Sequence, residues 1–157
     1  MNTFLKQFST HFVQLNVSNL DEIGKLYADD VTFIDPLHQI TGLTALRQYF
    51  EQMYANIKSI DFVMHGHDQI YKNVSTIGLA IPDDELSSGE GYLRWRMRFS
   101  HPRLKNGQTI EVEGCSHLRW SKNKVYYHRD YFDAGAMLYE HLPVMGRVIA
   151  WLKRRLV

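Results

Sequence analysis

A single cysteine, Cys115, stands among 157 residues, which excludes an internal disulfide framework and suits a reducing compartment. An excess of either charge is also missing. The 18 basic and 17 acidic side chains leave +1, whereas domains that hold nucleic acid by bulk attraction carry a marked basic excess. Nucleic acid is therefore not an expected partner. Only four prolines occur, and no Pro/Gly-rich linker, repeat or low-complexity stretch divides the chain. No apolar run approaches the ~20 residues of a membrane-spanning helix. The opening MNTFLKQFSTHFVQL is broken by Lys6, Gln7 and His11, so it lacks the apolar run of a signal peptide. The expectation is a cytoplasmic chain of about one domain. Hydrophobic residues make up 45% and aromatics 13%, enough for a sizeable core.

The first half reads helical and the second reads as strands. Phe4, Leu5, Phe8, Phe12 and Leu15 share one helical stripe. Ser18 with Asp21 has the spacing of a capping box opening a second helix through Leu20, Ile23, Leu26 and Tyr27. Gly42 starts a third helix with apolar positions Leu43, Leu46, Phe50, Met53, Tyr54 and Ile57. From Ile60 the period becomes alternating, predicting strands over Ile60–His67, Gln69–Ala80, Gly91–His101, Thr109–Trp120 and Lys124–Asp133. Turn residues mark loops at Pro82–Glu85, at Lys105-Asn106-Gly107 and at Ser121-Lys122-Asn123. Helices followed by strands predict an α+β fold, a cone-shaped curved antiparallel sheet packed on N-terminal helices. Residues 1–142 form that cone, and residues 143–157 form a C-terminal amphipathic helix. Its stripe is Val144, Val148, Ile149, Leu152 and Leu156, with Arg147, Lys153, Arg154 and Arg155 off it. Such a helix either packs on the domain or on a dimer partner, or meets a membrane surface.

The segment YADDVTFIDP, Tyr27 to Pro36, carries the sharpest chemical signal. The residue before proline is pushed to extended geometry, so Asp35 ends or interrupts a strand. Flanked by Phe33, Ile34 and Leu37, it is either a desolvated general base or an exposed turn aspartate. On the last strand, Tyr126, His128, Asp130 and Phe132 share one face by period two. His128 and Asp130 there are either an acid/base pair in a pocket or a hydrogen-bonded pair fixing the strand end. On Gly91–His101, Leu93, Trp95, Met97 and Phe99 face one way and three arginines face the other. Gly114 allows a bulge that would turn Ser116 or His117 inward. His65-Gly66-His67 lacks a further placed ligand, so no metal or other cofactor is expected.

These residues together resemble the SnoaL-like and ketosteroid-isomerase-like superfamily, also called the nuclear-transport-factor-like fold. The densest match runs from His11 to Pro36, continues through Gly42 and Leu46, and returns at Glu113–Trp120 and Val125–Asp133. The resemblance implies a concave small-molecule pocket. Asp35 matches the position of the isomerase's proton-shuttling aspartate. The positions of its two oxyanion donors, a tyrosine and a protonated aspartic acid, are taken by His11 and Ser116. His128–Asp133 resembles the closing strand of limonene-epoxide-hydrolase-like members, but Arg94-Trp95-Arg96-Met97-Arg98 lacks their earlier acid. Steroid isomerisation and that route of epoxide hydrolysis are both disfavoured. The site this implies has Asp35, His128 and Asp130 as catalytic residues. His11, Tyr27, Phe33, Trp95, Met97, Ser116 and His117 line or polarise the pocket of a small hydrophobic ligand. A homodimer through the outer sheet face follows from the same resemblance. The alternative is a non-catalytic binding or assembly module using that face and the basic helix.

Overall fold

Helix α1 (Phe4–Phe12) forms where the aromatic stripe was expected, burying Leu5 and Phe8. Phe4 stacks on Trp120 with ring centroids 4.6 Å apart, so the helix is clamped to the sheet by aromatic contact. The structure is a computed structural model that describes residues 4–70, 87–142 and 144–155. Strand β1 (Tyr27–Ile34) leads to the short β2 (Gln39–Thr41), helix α3 (Leu43–Asn56) and strand β3 (Ser59–Ile70), with a one-turn α2 (Ile23–Leu26) before β1. Strands β4 (Gly89–Ser100), β5 (Thr109–Ser121) and β6 (Lys124–Phe132) follow, then the short helix α4 (Ala134–Met137) and helix α5 (Met145–Arg155). The six strands make one sheet in the order β2-β1-β6-β5-β4-β3. Helices on a curved sheet give the α+β class.

Several local expectations change. The sheet is mixed, because β1 runs parallel to β6, pairing Phe33 with His128 and Ile34 with Arg129. The two strands lie far apart in sequence, so no hairpin forces them antiparallel. The second helix shrinks to a 3-10 turn at Leu20–Glu22 plus α2, and Tyr27 already belongs to β1. The Ser18–Asp21 capping box does not form. Asn16 and Asn19 organise that turn instead, Asn19 Oδ1 accepting from the Asn16 amide and Asn16 Oδ1 from the Ser18 amide and hydroxyl. The two strands expected at Ile60–His67 and from Gln69 are one continuous β3, with an irregularity between Met64 and Gly66. The remainder of the Gln69–Ala80 strand and the Pro82–Glu85 loop lie outside the described residues. The two-residue turn Lys122-Asn123 closes β5 onto β6 with both φ values positive, the geometry that matches strand twist.

Glycine at 114 has a different purpose from the one its sequence suggested. Pairing stays in register through it on both sides, so there is no bulge. A Cβ there would run into the Trp95 ring, so the glycine makes room for that indole. A real irregularity sits at Tyr126, which is skipped when Trp120 pairs with Val125 and Arg119 with Tyr127. That extra residue turns Tyr126 outward and lets Val125 and His128 both point into the core. The Tyr126–His128–Asp130 face therefore begins only at His128. Among the described residues no helix is long and apolar enough to cross a membrane.

The outer face of β3–β5 carries the arginine and acid ladder. Arg96 contacts Glu113 at 2.9 Å and Glu111 at 3.5 Å, while Arg94 contacts Asp68 at 3.4 Å. His117 lies on this face, stacked on Tyr92 at 4.8 Å and bonded to Glu90 at 2.6 Å. Desolvation works to raise the Glu90 carboxyl, but hydrogen bonds from His117 and Arg119 outweigh it and hold the group below its ordinary value of 4.5. A depressed carboxyl stabilises the fold above the unfolded-state value and loses that contribution as pH falls through the folded one. Glu90→Gln should therefore cost about 1 kcal/mol near neutral pH. The gap to wild type should close in urea melts run well below the ordinary carboxyl value. A constant gap across that range refutes the assignment.

Candidate functional site

Between α3, the inner face of the sheet and the segment around α4 lies a cavity of about 610 Å³. Its wall is mostly apolar, built from Phe12, Phe33, Phe50, Phe62, Trp95, Met97, Phe99 and Phe132, with Met137, Leu138 and Leu142 from the chain after β6. Alternation places these side chains inward: β4 offers Trp95, Met97 and Phe99 on one side of its pleat. Phe62 meets Trp95 edge to face at 5.7 Å.

Two carboxylates interrupt this wall, Asp35 and Asp130. Each is one residue beyond the last paired positions of β1 and β6, Ile34 and Arg129. The parallel pairing thus brings together two acids 95 positions apart in sequence. Asp35 is 9% exposed. Its Oδ1 accepts the backbone N–H groups of Leu37 and His38, both at 2.7 Å, and its Oδ2 accepts the Tyr49 hydroxyl at 2.7 Å. Asp35 is a turn aspartate, as the Asp-Pro pair suggested, but an enclosed one and not the exposed group expected of such a turn. Burial first, then the hydrogen bond to Asp35, pushes the Tyr49 phenol far above its ordinary value, with Asp130 adding to the effect. Tyr49 therefore stays a neutral donor. The His38 ring lies 3.3 Å from Oδ1 and is half exposed, at the cavity edge.

Asp130 is held by a separate set. Ser116 donates its hydroxyl to Oδ1 at 2.5 Å, and the Trp95 indole N–H donates to Ser116 Oγ at 2.8 Å. His128 Nε2 faces the same Oδ1 at 2.8 Å and its Nδ1 faces the Tyr27 hydroxyl at 2.8 Å. Because a carboxylate only accepts, Nε2 carries the ring hydrogen and Nδ1 accepts from Tyr27. The two contacts that reach Asp130 directly, from Ser116 and His128, both end on Oδ1, so Oδ2 has no partner in this set. The Tyr27 phenol, raised by burial and then by the charge of Asp130, keeps its proton.

The residues expected in the site divide cleanly. Asp35, Asp130, Phe33, Trp95, Met97 and Ser116 line the cavity. His128 and Tyr27 do not: His128 is 2% exposed, packed between Phe33 at 4.8 Å and Tyr27 at 5.9 Å, behind the wall. His11 sits on the exposed side of α1, bonded to the Gln7 carbonyl, and borders a separate groove of about 280 Å³. His117 faces the outer side of the sheet, because the in-register pairing at Gly114 leaves Ser116 inward and its neighbour outward. Neither His11 nor His117 reaches the cavity to stabilise an oxyanion, and the proton of Ser116 is engaged by Asp130. Tyr49 and His38 were missed. Tyr49 hid inside an otherwise apolar helix pattern, and the signal for His38 was its place in the Asp35-Pro36-Leu37-His38 turn. Cys115 lies on the outer face, its thiol raised chiefly by burial. Among the described residues no three His, Cys, Asp or Glu side chains converge as metal ligands.

Comparison with known proteins agrees with this fold. An NTF2-like protein of unknown function from Exiguobacterium sp. 255-15 superposes with a TM-score of 0.61 at 16% identity, covering 84% of this chain and 99% of that one. A SnoaL-like polyketide cyclase from Agrobacterium tumefaciens gives 0.63 at 15% identity, covering 87% and 96% respectively. A protein with a ketosteroid isomerase-like fold from Catenulispora acidiphila, solved with trimethylamine, gives 0.60 at 16% identity, covering 80% and 85%. At such identities the likeness is one of fold. No curated protein is similar enough to the chain to count as a relative. The SnoaL-like domain, in contrast, matches residues 8–128, from the middle of α1 to the histidine behind the cavity wall, and the chain belongs to that family.

Proposed function

We propose that the protein binds an apolar small molecule in the 610 Å³ cavity and moves a proton on it with Asp130 and Asp35. The observation that carries this reading is the pair of carboxylates brought by the adjoining β1 and β6 into one aromatic-walled cavity. Asp130 Oδ2 is the proton acceptor, since every bond that orients the group goes to Oδ1. Asp35 is the second carboxylate, whose Oδ2 accepts the Tyr49 hydroxyl at 2.7 Å and lies 3.4 Å from His38 Nδ1. His128 and Tyr27 act through Asp130 as positioning residues. The substrate class is a carbon acid or a similar proton donor on a ring-sized apolar body, and the polyketide cyclase among the structural neighbours supports that direction.

The test uses 2-tetralone, a bicyclic ketone with acidic α-hydrogens, in deuterated buffer followed by NMR. Wild type should accelerate deuterium wash-in over buffer, and Asp35→Asn should lower that rate at least about tenfold with ketone binding retained. A wild type that binds the ketone yet adds nothing to the buffer rate removes the proton-transfer reading and leaves a binding protein. The same proposal takes the protein to be cytoplasmic, with residues 1–142 as the functional unit. Exposed Val63 and Tyr131 on the outer sheet face support a homodimer through that face.

A further inference from the structure

Helix α5 buries none of its residues. Eleven large hydrophobic side chains are exposed among the described residues, and five of them fall between positions 144 and 152: Val144, Met145, Val148, Trp151 and Leu152. Val144 is 74% exposed and Trp151 is 46% exposed. At 3.6 residues per turn, these five and the half-buried Ile149 fall on one side of the helix. The opposite side and its borders carry Arg147, Lys153 and Arg154, while Arg155 lies 4.4 Å over the Trp151 ring. No acidic residue occurs from Met145 to Arg155. The helix is also outside the stretch, residues 8–128, that matches the SnoaL-like domain.

We infer that α5 lies in the surface of an anionic lipid membrane, its apolar side among the acyl chains and its cations at the headgroups. An interfacial helix needs this composition: a strong apolar face with Trp and Leu, a cationic border, and too few apolar residues to span. Charge complementarity selects the occupant, because an uninterrupted cationic helix suits anionic headgroups and gains on the order of fivefold in partitioning per basic residue near them. A second copy of the same helix would bring like charges together. The inference does not rest on the cavity chemistry. It does bear on the cavity, since Leu142, two residues before Val144, is part of its wall.

Flotation of the full chain with vesicles tests it. Wild type should rise with phosphatidylcholine vesicles containing phosphatidylserine, stay down with phosphatidylcholine alone, and detach as salt is raised. Replacing three cations together (Arg147→Gln, Arg154→Gln, Arg155→Gln) should weaken partitioning roughly a hundredfold. Trp151→Glu with Leu152→Glu should abolish it, and both variants alter exposed positions that the fold does not need. Wild type remaining down with both vesicle types, or the triple variant floating as well as wild type, overturns the proposal. So does a dimer by light scattering that Trp151→Glu dissociates, because the stripe then belongs to a second copy.

Discussion

Asp130→Asn is expected to slow deuterium wash-in on 2-tetralone about a thousandfold, within the span of general-base contributions. The substitution is close to isosteric. An asparagine oxygen in the place of Oδ1 still accepts from Ser116 and His128, so the hydrogen-bond set around the residue persists. What disappears is the lone pair at Oδ2, replaced by an N–H donor that cannot take a proton. Ketone affinity and unfolding midpoint should stay near wild type, separating a lost base from a damaged cavity. Ser116→Ala supplies the contrast: it removes one orienting bond and should cost far less than Asp130→Asn in the same assay. An Asp130→Asn protein that exchanges at the wild-type rate takes this carboxylate out of the chemistry.

His128→Leu is expected to lower stability by about 3 kcal/mol. Leucine fills much of the space among Phe8, Phe12 and Phe33, so packing is not the main loss. The hydroxyl of Tyr27, fully buried, is left without an acceptor, and Asp130 keeps a single donor, Ser116. A donor stranded away from water costs close to its full desolvation energy. Tyr27→Phe removes the hydroxyl itself and should cost about 1 kcal/mol, and the double variant should be less destabilised than the sum. Urea unfolding checks all three. Strict additivity would show that Tyr27 and His128 contribute independently.

How far the sequence reveals this arrangement depends on the range of each interaction. Alternation on β4 and the stripe of α1 report which side of an element is apolar, and that information is local; both elements form as expected. Asp35 was legible for the same reason, since proline and its apolar neighbours act within three residues. Asp130 was legible as a strand-end acid, but its pairing with Ser116 and the Trp95 indole depends on register across three strands. Register was also what misled the reading of Gly114 and Tyr126: period two says nothing about where a strand skips a residue. The histidines were the hardest. His11, His117 and His128 look alike in sequence, and only the pairing shows one outward on a helix, one on the outer sheet and one behind the wall. The parallel junction of β1 with β6 could not be read at all, because hydrophobic patterns carry no strand direction.

That junction has a consequence for synthesis. The strand bearing Asp130 sits between the β1–β2 pair and β5, yet among the described strands it is the last in chain order. A nascent chain that has emerged only as far as β5 has no strand to join the β1–β2 pair to β3, β4 and β5, so neither the hollow nor its paired acids exist. Ligand affinity should appear abruptly as the ribosome passes the final strand, and shortened products ending before it should be inert and prone to capture by chaperones.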